Sequence, residues 1–493
     1  MGVVLGVDIG TSSSKGVLVA LDGTVVATVV RAHDVSRPRP GWVEMGTEVW
    51  WEEFASIARE LVASAAEPVV AVGVSGMGPC VALADADGVP LRPAILYGVD
   101  TRATAQIERL TAELGADEIL SRGGSALSTQ AAGPKIAWVA ENEPAVFAAS
   151  RKLFMPASWL AFKLTGEYVL DHQSASQCSP LYDSIAQEWY EPWAAPIVGE
   201  IELPRLVWAD TVVGPVTSEA AAETGLPAGI PVVAGTIDAW TEAVSVGAQT
   251  PGDLMLMYGT TMFLVNTIAD RITIPELWGT VGAFEGTRNL AGGMATSGAI
   301  TGWLRGLFGS PDYPTLLAEA AESAPGAHGL LMLPYLAGER TPIADPDARG
   351  IIAGLTIEHT RGDLYRAALE ATAMGVRHNV EAIRAAGGTI QRVVAVGGGT
   401  QGDLWLQIVS DVTGLTQVVP SVTIGASYGA AFLAAGAVES VDISGWNPVE
   451  RLVSPRPELA ANYYELYTLY RELYPATASI AHTLAERQKE SAR

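Results

Sequence analysis

Residues 6–23, GVDIGTSSSKGVLVALDG, set two apolar runs around a polar turn, and residues 253–270, DLMLMYGTTMFLVNTIAD, do so again in the second half. Runs 3–8, 16–21 and 24–31 predict a three-stranded meander, with Asp22-Gly23 as the tight turn before the third strand. A second pair of stretches, EPVVAVGVSGMG and IQRVVAVGGGTQGDLW, also echo each other, each an apolar run entering a glycine-rich loop. Two such halves predict a duplicated α/β fold joined near residues 244–253. A chain of 493 residues also exceeds one ordinary core. The expected domains are 1–246 and 247–493.

From Thr47 the pattern turns helical, with Trp51, Phe54, Ile57, Ala58, Leu61 and Val62 on one face. Residues 81–97 read as a further hairpin. Hydrophobic residues make up 49% of the chain, so packed domains rather than disorder are expected. The net charge of -24 argues against a nucleic-acid partner, whose phosphates are held by Lys and Arg. A single nucleotide is different, because backbone N–H groups and helix N-termini can grip its phosphates. Cys80 and Cys178 are too few for a disulfide framework or a zinc site, and fit a reduced cytoplasm. The first residues carry no secretory pattern. The longest uncharged stretch, 412–438, holds Pro420 and several glycines, which suits a strand, loop and buried helix rather than a membrane span.

Three loops carry the chemistry. The first fails as a Walker loop: aligned on Lys15, Ser14 stands where the second glycine belongs and Gly16 where the hydroxyl belongs. It remains a turn whose N–H groups and hydroxyls could grip phosphate, with Asp8 placed to orient a metal ion, or else a hairpin satisfied by its own Ser and Thr. The second, VAVGGGTQGDLW, holds the Gly-x-Gly-x-x-Gly pattern at Gly397, Gly399 and Gly402. The strand that follows lacks the acidic residue a dinucleotide ribose needs, so a turn that lets a base and ribose lie against backbone is preferred over a nicotinamide site. In the third, GIPVVAGTIDAWTEAVSVGA, Asp238 follows a strand end and either caps a helix or serves as a general base, ionised with an ordinary pKa of about 3.9. The six His show no metal-ligand spacing. The Trp residues read first as core or cleft wall.

These loops, in this order, resemble the FGGY carbohydrate kinases. The most specific likeness is GIIAGLTIEHTRGDLYRAALE at 350–370, which resembles the family's C-terminal signature through Gly350, Gly354, Asp363 and Glu370; PYLAGERTPIADPDARG before it is similar to xylulokinases. The resemblance implies a two-domain, duplicated actin-like ATPase or ribonuclease-H-like α/β fold with an interdomain active-site cleft that closes on its ligands. It implies ATP and Mg2+ as cofactors, Asp238 as base and Asp8 in the metal site. Thr11, Ser12, Ser13 and Lys15 would approach the phosphates, Gly259, Thr260 and Thr261 would face the transferred group, and Gly302, Gly398, Gly399 and Asp403 would complete the nucleotide site. Met77, Gly78, Asp100, Arg102, Trp240 and Asp238 would bind the acceptor.

The sequence departs from the family pattern at three places. Ala132 replaces the usual Pro, Ser or Thr of the N-terminal signature; SGMGPC lacks the Gln and His of the xylulokinase Gln-Met-His-Gly; and YGVDTRA is closer to ribulokinase-like and autoinducer kinases. The expected reaction is therefore phosphoryl transfer from ATP to a hydroxyl of a ketopentose or related polyol, with ribulose, glycerol, erythritol and autoinducer-type acceptors as alternatives. An actin-like ATPase or chaperone is the competing class. A small sugar or polyol and ATP are the expected partners, with neither nucleic acid nor membrane; a homodimer is compatible.

Overall fold

Strand Val3–Ile9 is buried along nearly its whole length and lies antiparallel to Ser13–Ala20, which pairs onward with Val25–Ala32. The predicted meander therefore forms in this computed structural model, which describes residues 2–491. Its tight turn is stabilised by Asp22, whose side chain accepts from the Thr24 N–H, and by Gly23 at φ 90°. On its other flank Val3–Ile9 runs parallel to Val69–Gly76, next to which come Pro231–Val233, parallel, and Val212–Pro215, antiparallel to its neighbour. Helix Thr47–Ser64 forms with Phe54, Ile57, Ala58 and Leu61 buried, as the periodicity predicts.

The second half repeats this order. Asp253–Tyr258 is antiparallel to Met262–Ile268 and parallel to Arg392–Val396. Gln417–Pro420 then adds in parallel and Val449–Val453 closes the edge antiparallel. The duplication read from two hairpins thus extends to five neighbouring strands of each sheet.

Residues 81–97 do not form a regular hairpin: Ala82–Ala84 pairs with Lys152–Phe154 and Ala94–Ile95 with Glu44–Met45, leaving isolated bridges Val81↔Ile95 and Ala84↔Pro90 between them. Pro90 and Pro93 lack the N–H a ladder needs. The compact units are not contiguous in sequence: the first holds Met1–Thr250, Ala269–Asn289 and Ile424–Pro448, the second Pro251–Ile268, Leu290–Thr423 and Val449–Arg493.

The reason lies in helix Ala426–Gly436, which packs on the first sheet. Two glycines admit it: a Cβ on Gly6 would stand 2.0 Å from the Ser427 carbonyl oxygen, and one on Gly73 1.9 Å from that of Ala430. Both obstacles are backbone, which cannot swing aside. Gly73→Ala is expected to cost about 1–3 kcal/mol, seen as a lowered urea midpoint with unchanged slope; an unchanged midpoint would mean that the helix does not sit this close.

Candidate active site

The first strand delivers Asp8 to its end, where Lys15 and Ser75 lie opposite it on the neighbouring strands. One carboxylate oxygen of Asp8 is buried without a hydrogen-bond partner. Burial, then the charge of Asp238, push its pKa well above the usual carboxylate range, with Ser75 and Lys15 only partly opposing them. A bare buried oxygen of this kind costs free energy unless a cation or donor meets it. It therefore fits a magnesium ion, the group implied by the resemblance. Among the described residues no group of three or more His, Cys, Asp or Glu could hold a metal ion. An ion at Asp8 would draw its remaining ligands from phosphate and water, as magnesium commonly does.

Asp238 opens helix Asp238–Ser245, but it does not cap it; Ile237 holds the cap position, and the Asp238 Oδ1 accepts only from the adjacent Ala239 N–H, at 2.7 Å. The capping alternative falls away. Burial raises its pKa above the free value, which corrects the expectation of an ordinary Asp. One turn later, Glu242 is pushed up to about 7 by burial and by Asp238, while Lys15 opposes the shift. Sequence reasoning missed Glu242; its signal was the four-residue spacing from Asp238, which puts both on one helix face.

Lys15 finds its place here: its Nζ donates to the Ile424 carbonyl oxygen at 3.0 Å, tying the second strand to the residues that lead into helix Ala426–Gly436. The adjoining turn is held from below. The Gly10 N–H donates to Ser13 O, the His33 N–H to Ser12 O, and the His33 ring bridges Gly10 O and Glu53. Ser12 stays exposed, while Thr11 Oγ1 lies 2.8 Å from the Tyr97 hydroxyl and 3.6 Å from the Met77 sulfur.

The residues expected around the acceptor divide. Met77 joins this cluster, and Gly78 packs where a Cβ would strike Ile237 at 2.6 Å. Trp240 is buried, its indole N–H donating to Asn289 Oδ1 at 3.1 Å. Asp100 and Arg102 are different: both side chains are wholly buried and bonded to each other, with Glu44 as a further acceptor and the guanidinium 4.2 Å from the Trp42 ring centroid and 5.0 Å from that of Trp138. Their polar atoms are paired inside the fold. Asp100 also fixes its own loop, accepting from the Val43 and Arg102 N–H groups.

In the second unit, Gly259 and Thr260 turn the hairpin and accept, through their carbonyls, the N–H groups of Gly298, Ser297 and Ala299 at the start of helix Gly298–Leu307. Beside them opens a cavity of about 830 Å3, lined by Gly259, Thr260, Gly302, Gly398 and Gly399 among others. Gly397 needs its glycine for φ 89°, Gly399 packs where a Cβ would meet Trp405 and Tyr258 at 2.8 Å, and Gly398 faces open space. Thr261 and Asp403 do not line the cavity. Asp403 begins helix Asp403–Thr413, largely exposed, and pairs with Arg451, which also donates to Thr400 O at 3.1 Å. Arg451 thus clasps the loop from outside, a role no local motif announces.

Two family models match the chain: the N-terminal domain of the FGGY family of carbohydrate kinases over residues 3–245 and its C-terminal domain over 254–438. The boundary between these matches falls close to the cut expected from the sequence. A xylulose kinase of Escherichia coli K12 is 30% identical over 481 residues, covering 95% of this chain and 98% of that protein. A glycerol kinase of Nocardia farcinica is 32% identical over 460 residues, covering 88% and 90%. Among solved structures, xylulose kinase from Rhodospirillum rubrum superimposes with a TM-score of 0.90 at 33% identity, over 97% of this chain and all of that one. No helix among the described residues is long and apolar enough to cross a membrane.

Proposed function

Since the chain belongs to the FGGY family of carbohydrate kinases and is an ATP-dependent sugar kinase, we propose that its acceptor is a ketopentose of the xylulose type, phosphorylated at a hydroxyl presented to Asp238. The observation that carries this reading is Asp238 itself, a half-buried carboxylate at a helix start that neither caps the helix nor has a salt-bridge partner among those the structure shows. The near full-length likeness to xylulose kinases supports the choice of sugar.

Asp238 orients the acceptor hydroxyl and takes its proton late, because bond-making to a loosely held phosphoryl group demands little prior deprotonation. The cavity beside Gly398 and Gly399 takes the nucleoside, and the Gly259–Thr260 turn faces the phosphates. The exposed Ser12 hydroxyl and the turn around it serve as phosphate donors, while Lys15, through Ile424, keeps that turn and the following helix in register. Asp8 would hold magnesium, whose charge offsets that of the phosphates. Met77, Gly78 and Trp240 shape the acceptor side, where the absence of the xylulokinase Gln and His leaves the choice among ketopentoses and polyols to shape. The glycerol kinase relative makes a short polyol the second reading.

Purified protein with ATP and Mg2+ should release ADP in the presence of D-xylulose at a rate at least about tenfold above the same mixture with ribulose, glycerol or erythritol, a ratio typical of discrimination by shape. A no-acceptor control should stay near background. Faster turnover with glycerol would move the assignment to the polyol reading.

A further inference from the structure

The walls of the second unit's cavity have already spent most of their polar groups. The Tyr258 hydroxyl donates to Gln417 Oε1 at 2.6 Å, the Trp405 indole N–H to Thr372 Oγ1 at 3.0 Å, and Thr301 Oγ1 to the Gly298 carbonyl at 2.7 Å. The Tyr365 hydroxyl lies against Thr301. No charged side chain lines the cavity. Besides the Thr260 hydroxyl at the hairpin turn, two polar side chains of the cavity remain to meet a base: the exposed amide of Gln401 and the hydroxyl of Tyr313, which stands 3.7 Å from where a Cβ on Gly302 would be.

Both groups are ambivalent. A carboxamide carries a donor end and an acceptor end and can turn over, and a hydroxyl both donates and accepts. Adenine and guanine differ at the six position, where one presents an amino donor and the other a carbonyl acceptor. A site that fixes one polarity there rejects the wrong partner by about 10⁴–10⁵-fold, since a buried polar group is left unpaired. Side chains that can turn over apply no such penalty.

We propose that this cavity accepts guanine as well as adenine, so that the enzyme transfers the γ-phosphoryl group of GTP with an efficiency comparable to ATP. The inference rests on reading the cavity as the nucleotide site. In the transfer, the bond from the γ-phosphorus to its bridging oxygen breaks, a bond to the acceptor oxygen forms, the hydroxyl proton passes to Asp238, and GDP leaves.

Calorimetric titration with ADP and with GDP, without acceptor, tests the site independently of the sugar. Steady-state kcat/KM with ATP and with GTP at saturating acceptor tests the transfer. In both, the two purines should fall within about tenfold of each other; a larger preference for adenine overturns the proposal. Gln401→Glu, which can only accept and so loses the freedom to turn over, should change the ratio by about tenfold, and an unchanged ratio would remove Gln401 from base recognition. Should no sugar or polyol be phosphorylated, the acceptor reading fails while the ADP and GDP affinities still decide this one.

Discussion

Asp238→Asn is expected to lower kcat by about 10²–10⁴-fold, with the KM for ATP nearly unchanged. The amide has the same shape and keeps an oxygen to accept from the Ala239 N–H, so the helix start survives. What it loses is the capacity to take a proton. The pH profile gives an independent readout. A base works only when deprotonated, and burial raises the pKa of Asp238. The acid limb of kcat/KM should therefore lie above the ordinary Asp value of about 3.9 in the parent and flatten in the variant. Near-normal turnover in Asp238→Asn would remove Asp238 as the base.

Asp8→Asn should separate stability from function. The parent carries a buried oxygen with no partner, and burial with neighbouring Asp238 opposes its ionisation. The linkage is that of a folded pKa raised above the unfolded one: the favourable neutral form is fully present below the unfolded pKa, and its contribution is lost as pH rises through the folded pKa. The ligand-free variant should therefore be more stable than the parent at pH 8, by about 1–3 kcal/mol, and the gap should shrink toward pH 5. If Asp8 holds magnesium as proposed, turnover should also fall by about 10²-fold or more with the loss of that ligand. Thermal unfolding at the two pH values, alongside Mg2+-dependent activity, checks both halves. A variant less stable than the parent at pH 8 would show that Asp8 is satisfied in the free enzyme.

Local patterns reported the hairpins and the reaction class because both are written in short segments. The apolar runs around residues 9–16 and 258–262 could hardly be anything but strand, turn, strand, and the Gly397 loop shows its glycine needs directly in φ and in close packing. The signature at 350–370 was equally visible, yet its acids do structural work. Asp363 forms a capping box with Thr360, and Glu370 accepts from Arg366 and Tyr463 in the interior. Their presence identified the fold rather than the chemistry.

What escaped the sequence depends on separation along the chain. Lys15 meets a carbonyl 409 residues away, so no window around it could explain it. Helix Ala426–Gly436 reads as buried from its composition, but only the bare backbone at Gly6 and Gly73 shows which sheet it covers. Asp100 and Arg102 read as binding groups only through the likeness of YGVDTRA to related kinases; the pairing that buries them is visible only in three dimensions. The same holds for Arg451, whose clasp on Asp403 and Thr400 joins distant strands and loops.

The central claim is that the γ-phosphoryl group of ATP goes to a sugar hydroxyl, with Asp238 taking the proton. Following a mixture of enzyme, ATP, Mg2+ and D-xylulose by 31P NMR tests it directly. The account predicts a sugar phosphomonoester resonance growing in step with ADP, and losing its growth in Asp238→Asn. Accumulation of ADP with inorganic phosphate alone, at the same rate with or without sugar, would contradict it.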